Sequence, residues 1–416
     1  MKKLAVVLGI FLPAIFTFVL VSCEKAKDTP GDPVPILLTE KQKEVVDQSN
    51  NFAFNLFNQI LSGKSDAENI MISPFSVSSA LSMTLNGAAG ETYDQMLKTL
   101  CLEDKTLDEI NSTYLKLMSD MVPVDDRIEF DIANSVWVEK TLTVKENFIT
   151  KLEEYYDAEG KSFDITDPSS KDIINAWVED KTNDKIKDLI SLLPDDTRML
   201  LINAIYFNGK WKGKFDKEKT SDRQFHLSSG TVKNVPTMSN KSTYSSFHQD
   251  NATVVDLPYG QGNYTMVIAL PDEGYTPAQI ASSLDAATWQ DWETRLENPG
   301  IEMQLYLPKF KYEYSKSIAK DLCTLGMPVA FSASADFSNI SNTALQIFDV
   351  LHKTYIATDE EGTEAAAATA VIIGLTAVPQ SSVIDINRPF LYFIREIYTG
   401  TIVFMGIVED PTVEKP

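Results

Sequence analysis

A helical pattern opens the body of the chain. Thr39 with Gln42 three residues later forms a capping pair, and Val45, Ser49, Phe52, Leu56 and Ile60 follow at helical spacing. An amphipathic helix is predicted there. The run Asn69, Ile70, Met71, Ile72, Ser73, Pro74, Phe75, Ser76 reads as a short buried strand turning into a helix over 77–85, which Gly87 and Gly90 stop. Phe130, Ile132, Asn134, Val136 and Val138 alternate as a strand. A second helical stretch opens at Ile174, Asn175, Ala176, Trp177 and Val178 and is predicted to end near Leu193. Residues 199–207 are almost continuously apolar, the pattern of a central strand covered on both faces. Ile301, Met303, Leu305 and Leu307 alternate, and beyond Pro308 the phase slips to Phe310, Tyr312 and Tyr314, which predicts a bulge or strand bend. Residues 390–394 and 401–407 pair as a hairpin around Thr399 and Gly400. Helices crowd the first part and strands the second, so the fold class is α+β with a large mixed sheet.

One stretch breaks the usual rules. Glu360, Glu361, Gly362, Thr363, Glu364, Ala365, Ala366, Ala367, Ala368 and Thr369 join an acidic turn to small residues, and 370–378 is almost wholly apolar up to Pro379. An apolar strand of this kind is an aggregation hazard that natural chains interrupt with charge or proline. At period 2, Thr363, Ala365, Ala367, Thr369, Val371, Ile373 and Leu375 share one face, with Glu364 on the other. That face is uncharged, small at one end and bulky at the other. It suits a strand that slides into the middle of a sheet.

Composition adds an address. The chain has 416 residues, 44% hydrophobic and 10% aromatic, ample for a large core, and no internal linker divides it. A net charge of -22 disfavours nucleic acid, heparin-like polyanions and anionic lipid headgroups as partners. Lys2 and Lys3 precede an apolar run over 4–21 that ends in Leu20, Val21, Ser22 and Cys23, the pattern of a lipoprotein signal peptide with Cys23 as the lipidated first residue. A plain transmembrane anchor is the alternative for 4–21. The expected organisation is a signal peptide over 1–22, the lipidated cysteine and a proline-containing tether over 23–36, and one domain over 37–416. A lipid-anchored protein of a bacterial envelope, at the outer membrane or cell surface, follows from this reading. Cys101 and Cys323 then allow at most one disulfide and read as free structural thiols.

Enzymatic signatures are missing from the sequence. It has three histidines and no Gly-x-Ser-x-Gly, His-Glu-x-x-His or Cys-x-x-Cys pattern. No catalytic residue, metal or cofactor is expected, although a scattered triad is defined by geometry rather than spacing.

From 39 to 411 the chain resembles the serpin family, on ordered blocks at 69–76, 175–186, 201–211, 307–309, 352–369 and 388–411. The resemblance implies a large central β-sheet with two further sheets, helices packed around them and an exposed reactive loop at about 360–383. It implies a shutter of Ser73, Ser76, Asn203 and His352 beneath the central sheet, and a breach of Trp211, Lys309 and Glu360 where insertion begins, with a possible Lys309 to Glu360 salt bridge. Residues 362–369 match the hinge of inhibitory members. Non-inhibitory members, which serve as binding or carrier proteins and are the alternative reading, often carry bulky or charged residues there. Asp184 stands where the family usually has glycine after Asn183, a position aspartate tolerates. The implied activity is protease inhibition by suicide-substrate trapping, with the bond between Thr376 and Ala377 as bait and Leu375 or Val378 as neighbouring alternatives. With no basic residue there, elastase-like serine proteases are the expected targets, with chymotrypsin-, subtilisin- or papain-like enzymes favoured by Leu375. A monomer is expected.

Overall fold

The structure is a computed structural model that describes residues 31–65, 68–363 and 382–413. In chain order its helices are α1 (Glu40–Ser62), α2 (Pro74–Leu85), α3 (Gly90–Thr99), α4 (Leu107–Met121), α5 (Glu146–Tyr156), α6 (Ser170–Lys181), α7 (Pro277–Ala281), α8 (Ala286–Leu296) and α9 (Ala319–Leu325). The strands are β1 (Ile70–Ile72), β2 (Ile128–Glu139), β3 (Ala158–Phe163), β4 (Met199–Lys210), β5 (Ser221–His226), β6 (Val232–Gln249), β7 (Ala252–Pro258) and β8 (Tyr264–Pro271). They continue with β9 (Ile301–Pro308), β10 (Phe310–Ser317), β11 (Leu351–Thr358), β12 (Gly362–Thr363), β13 (Ser382–Asp385), β14 (Phe390–Glu396) and β15 (Ile402–Val408).

Two sheets result. One has six strands in the order β10-β11-β12-β4-β2-β3, and the other has nine, running β1-β15-β14-β8-β7-β6-β9-β13 with β5 on β6. The two further sheets expected beside the central one are therefore continuous. Strand β6 joins them: its first part pairs with β5 and β9, and its last residues pair with β7. Proline 308 marks a different event from the bend predicted. The chain leaves the nine-stranded sheet at the end of β9 and starts the six-stranded one at β10, so the slip in alternation is a change of sheet.

Local chemistry sets the element ends. The Thr39 side chain accepts from the Gln42 amide and the Gln42 side chain returns to the Thr39 backbone, which starts α1 as expected. Helix α2 begins at Pro74, earlier than the predicted 77, because Ser73 caps it and proline at the first position loses no needed donor. Gly90 opens α3 rather than ending α2. Helix α6 stops at Lys181, well short of Leu193. Thr182 folds its hydroxyl back onto Val178, and Asn183, Asp184 and Asp188 adopt left-handed backbone angles that no continuous helix allows.

The segment after α6 has a defined course. Asn175 donates to the Ile190 carbonyl and accepts from the Ile190 amide, both at 2.9 Å. Ile186 and Ile190 then pack with Trp137, Trp177 and Ile202 in a hydrophobic cluster on the outer face of the six-stranded sheet. Within β4, Ile202 and Ala204 face that cluster while Ile205 and Phe207 face the main core, so this strand is covered on both sides as its composition predicts. The same segment bridges strands: Asn183 bonds Glu129 on β2, and Lys187 accepts from Lys353 on β11. Cys101 and Cys323 are free thiols.

Replacing Asn175 with alanine leaves both Ile190 backbone groups without their partner. The expected loss is about 1–3 kcal/mol of stability, read as a lower urea midpoint; an unchanged midpoint would show that the segment is held by its apolar contacts alone.

Candidate functional site

The central feature is an opening, among the described residues, between β4 and β11. On its outer side β4 pairs antiparallel with β2 from Val138↔Met199 to Ile128↔Gly209, and β11 pairs with β10 along its whole length. On their inner sides, among the described residues, the two strands are joined only through β12. Gly362 sits opposite Lys210, and Thr363 sits opposite both Gly209 and Thr358. Below β12 the inner edges of both strands have donors and acceptors with no strand partner among the described residues. Three buried side-chain oxygens beside the opening also lack partners among the described residues: Oδ1 of Asn203 and of Asn208 on β4, and Oγ1 of Thr358 on β11.

The upper end of the opening is closed by a network around the turn at 359–362. Trp211 donates its indole N–H to the Asp359 carbonyl and its backbone N–H to the Glu361 carbonyl, both at 2.8 Å. The Phe215 amide adds a third bond, to the Glu360 carbonyl. Glu360 is buried and meets Lys309 at 2.8 Å and the Thr220 hydroxyl at 2.7 Å. Burial alone pushes the Glu360 carboxyl up, but the Lys309 and Thr220 hydrogen bonds outweigh it and hold it below the usual carboxylate range. Glu361 is paired with Lys214 at 3.2 Å and Lys217 at 3.5 Å.

The first two inserted residues are fitted closely. A Cβ on Gly362 would lie 2.0 Å from the Gly209 carbonyl oxygen, so only glycine lets the backbones approach here. Thr363 is buried, and its hydroxyl shares a 2.6 Å hydrogen bond with Tyr259. Tyr259 in turn stacks on Trp211 with ring centroids 4.4 Å apart.

Beneath the opening, Ser73 gathers three contacts. Its amide donates to His352 Nε2 at 3.0 Å, its hydroxyl donates to the Val403 carbonyl, and the same hydroxyl accepts from the Ser76 amide. Accepting at Nε2 places the proton of a neutral imidazole on Nδ1. Asn203 belongs to a different group. Its amide donates to Asn134 on β2 at 2.7 Å, and Asn134 donates to the Tyr156 carbonyl at 2.6 Å. The four residues expected as one cluster are therefore split: Ser73, Ser76 and His352 sit together, while Asn203 lies across the opening from His352. Asn203 and Asn134 are directly opposed on neighbouring strands, so the Asn203 side-chain N–H bonds across the ladder while its Oδ1 has no partner among the described residues.

Comparison with known proteins agrees with this geometry. The family profile described as Serpin (serine protease inhibitor) matches residues 47–411. The chain belongs to the serpin family. An uncharacterized serpin-like protein of Methanosarcina mazei is 34% identical over 387 residues, covering 88% of each chain. The human leukocyte elastase inhibitor is 35% identical over 376 residues, covering 87% of this chain and 98% of that one. The native crystal structure of the thermophilic serpin tengpin superposes with a TM-score of 0.81 at 31% identity, covering 92% of this chain and 97% of tengpin.

In this serpin, Trp211, Lys309 and Glu360 come together as the resemblance implied, with the ion pair formed. Gly362 and Thr363 are in the sheet. The remaining hinge positions Glu364, Ala365, Ala366, Ala367, Ala368 and Thr369, the bait residues Leu375, Thr376, Ala377 and Val378, and Cys23 lie outside the described residues. Sequence reasoning missed Tyr259, Thr220, Asn134 and the Lys214 and Lys217 pair. Tyr259 carried a faint signal, since it closes an apolar strand just before the run Gly260, Gln261, Gly262, Asn263. The others look like ordinary surface or strand residues until the fold brings them together.

Burial pushes the His352 imidazole down to about 4. Its ordinary value in an unfolded chain is about 6.5, so between those limits the unfolded state binds the extra proton and the native state loses stability as pH falls. Above pH 6.5 the group contributes nothing to the slope. The expected contribution is about 1.4 kcal/mol per pH unit inside that window. Urea midpoints of the wild type and His352→Gln between pH 7 and 4.5 read it; parallel curves would mean that His352 titrates normally.

Proposed function

We propose that this serpin inhibits serine-type proteases as a suicide substrate. The observation that supports the reading is Gly362 and Thr363 lying between β4 and β11, with the strand edges below them unpaired among the described residues. In the register set by Thr363 opposite Thr358, β11 offers further pairing positions from Ala357 down to Leu351. A strand that adds there fills backbone hydrogen bonds on both sides and buries its apolar face. That gain is the driving force. The target protease attacks the loop, with the bond between Thr376 and Ala377 as the preferred bait, and forms an acyl-enzyme through its own nucleophile. Insertion of the freed strand then carries the acylated protease away from its starting position and distorts its active site before water completes the cleavage.

The hinge distinguishes an inhibitor from a carrier. A residue inserted at position 363 has to fit a buried site beside Tyr259, which accepts threonine and excludes a large or charged side chain. Small aliphatic residues on either side of the bait bond favour elastase-like proteases, which fits the likeness to an elastase inhibitor. The protein acts from the bacterial envelope, held by lipid on Cys23 after removal of the signal peptide over 1–22.

Incubation with an elastase-like protease is expected to give an SDS-stable covalent complex with the wild type and rapid cleavage without complex for Thr363→Arg. Clean turnover of the wild type by every protease in a broad panel would remove the inhibitory reading. For the anchor, Cys23→Ala is expected to abolish incorporation of labelled fatty acid; a variant that still incorporates label would rule out lipidation at Cys23.

A further inference from the structure

The described chain begins just before a contact unrelated to its first helix. Val34 donates its N–H to Asn263 Oδ1 at 2.8 Å, and Asn263 Nδ2 donates to the Val34 carbonyl at 2.7 Å. One side-chain amide thus satisfies both backbone groups of a residue 229 positions away. Ile36, two residues on, is buried although Leu37 is 79% exposed. This segment is docked, and what it docks on is a glycine-containing turn.

The turn connects β7 to β8. Gly260 and Gly262 hold left-handed backbone angles of +46° and +112°, so the chain has little conformational preference of its own there. External bonds define it. The Gly260 amide donates to the Lys210 carbonyl, the Gln261 amide to the Asp125 carboxylate, and the Lys212 ammonium to the Gln261 carbonyl. Asp126 accepts from the Gln261 side chain, the Ile397 amide donates to the Asn263 carbonyl and Asn263 Nδ2 also donates to Glu396, and Val34 adds two further bonds to the Asn263 side chain. Tyr259, the first residue of the turn, carries the hydrogen bond that holds Thr363 and the ring on which Trp211 stacks.

We propose that residues 33–36 form a strap that keeps the hinge residue Thr363 seated in the central sheet by fixing the 259–263 turn. The strap is the last part of the tether expected over 23–36, so release or pulling of the tether loosens the hinge without any contact to the reactive loop. Its meaning for inhibition rests on the function proposed above; the coupling itself does not.

Hydrogen exchange of the full-length protein, read by mass spectrometry, tests it without a protease. Val34→Pro removes the N–H given to Asn263 and keeps the Val34 carbonyl, and loss of that bond is expected to speed exchange about five-fold in peptides covering 258–264 and 359–363. Peptides from β8 and β14 are expected to stay unchanged. Ile36→Ala loosens the strap from its other end and is expected to reproduce the pattern even if the proline variant folds poorly. Acceleration confined to 31–40 in both variants, with the hinge peptide at its wild-type rate, would overturn the proposal. Failure of the wild type to inhibit any protease, with the exchange pattern intact, would sink the inhibitory reading and leave the strap standing.

Discussion

Backbone hydrogen-bonding capacity that has no strand partner among the described residues, in the middle of a sheet, is the constraint on which the rest of this structure depends. Interior strands normally pair on both sides, because an unpaired buried backbone group costs about as much as a lost hydrogen bond. Here β4 and β11 are each firmly paired on the outside and, among the described residues, joined on the inside only by Gly362 and Thr363. The polar groups beneath the opening follow from this. Ser73 and His352 meet on one side, Asn203 and Asn134 on the other, and neither pair bridges the gap. Each pair is bonded on its own flank, while Asn203 Oδ1 and Thr358 Oγ1 have no partner among the described residues.

The charges near the hinge are distributed in the same spirit. In a chain of net charge -22, Lys214, Lys217 and Lys309 converge on Glu360 and Glu361, the two acidic residues that immediately precede Gly362. Both carboxylates are buried, and neutralising them is what allows the turn at 359–362 to close against Trp211. Three backbone carbonyls of that turn receive N–H groups from Trp211 and Phe215. The fold thus spends a scarce positive charge where an acidic turn has to be packed.

How much of this is legible in the sequence depends on whether the signal is local. The cap at Thr39, the two-sided burial of β4 and the hairpin at Thr399 and Gly400 all come from short-range periodicity and turn chemistry, and the structure has them. The run of small residues after Gly362 is local too, and Gly362 and Thr363 occupy the sheet. Long-range partners are different. Asn203 reads as a member of the His352 group, yet it bonds Asn134, because register with β2 decides its neighbour and register is not encoded in either segment alone. The end of α6 is missed for a related reason. Apolar residues after Lys181 keep a rough helical spacing, but they face the outer cluster from an irregular backbone pinned by Asn175. Likewise, alternation in β9 and β10 cannot reveal that the two strands belong to different sheets.

The segment that follows α6 has a further consequence. It reaches from Glu129 on β2 to Lys353 on β11, and Lys185 lies over the Tyr355 ring, so it roofs the opening on the outer face while the main core closes the inner one. A slot covered on both faces cannot be filled broadside. It admits a strand only end-on, one pair after another, starting beside Thr363. In the proposed mechanism, filling it is therefore a directional, processive event with a fixed starting point, closer to drawing a zip than to docking a ligand, and a foreign peptide has to compete with a chain already threaded at the first tooth.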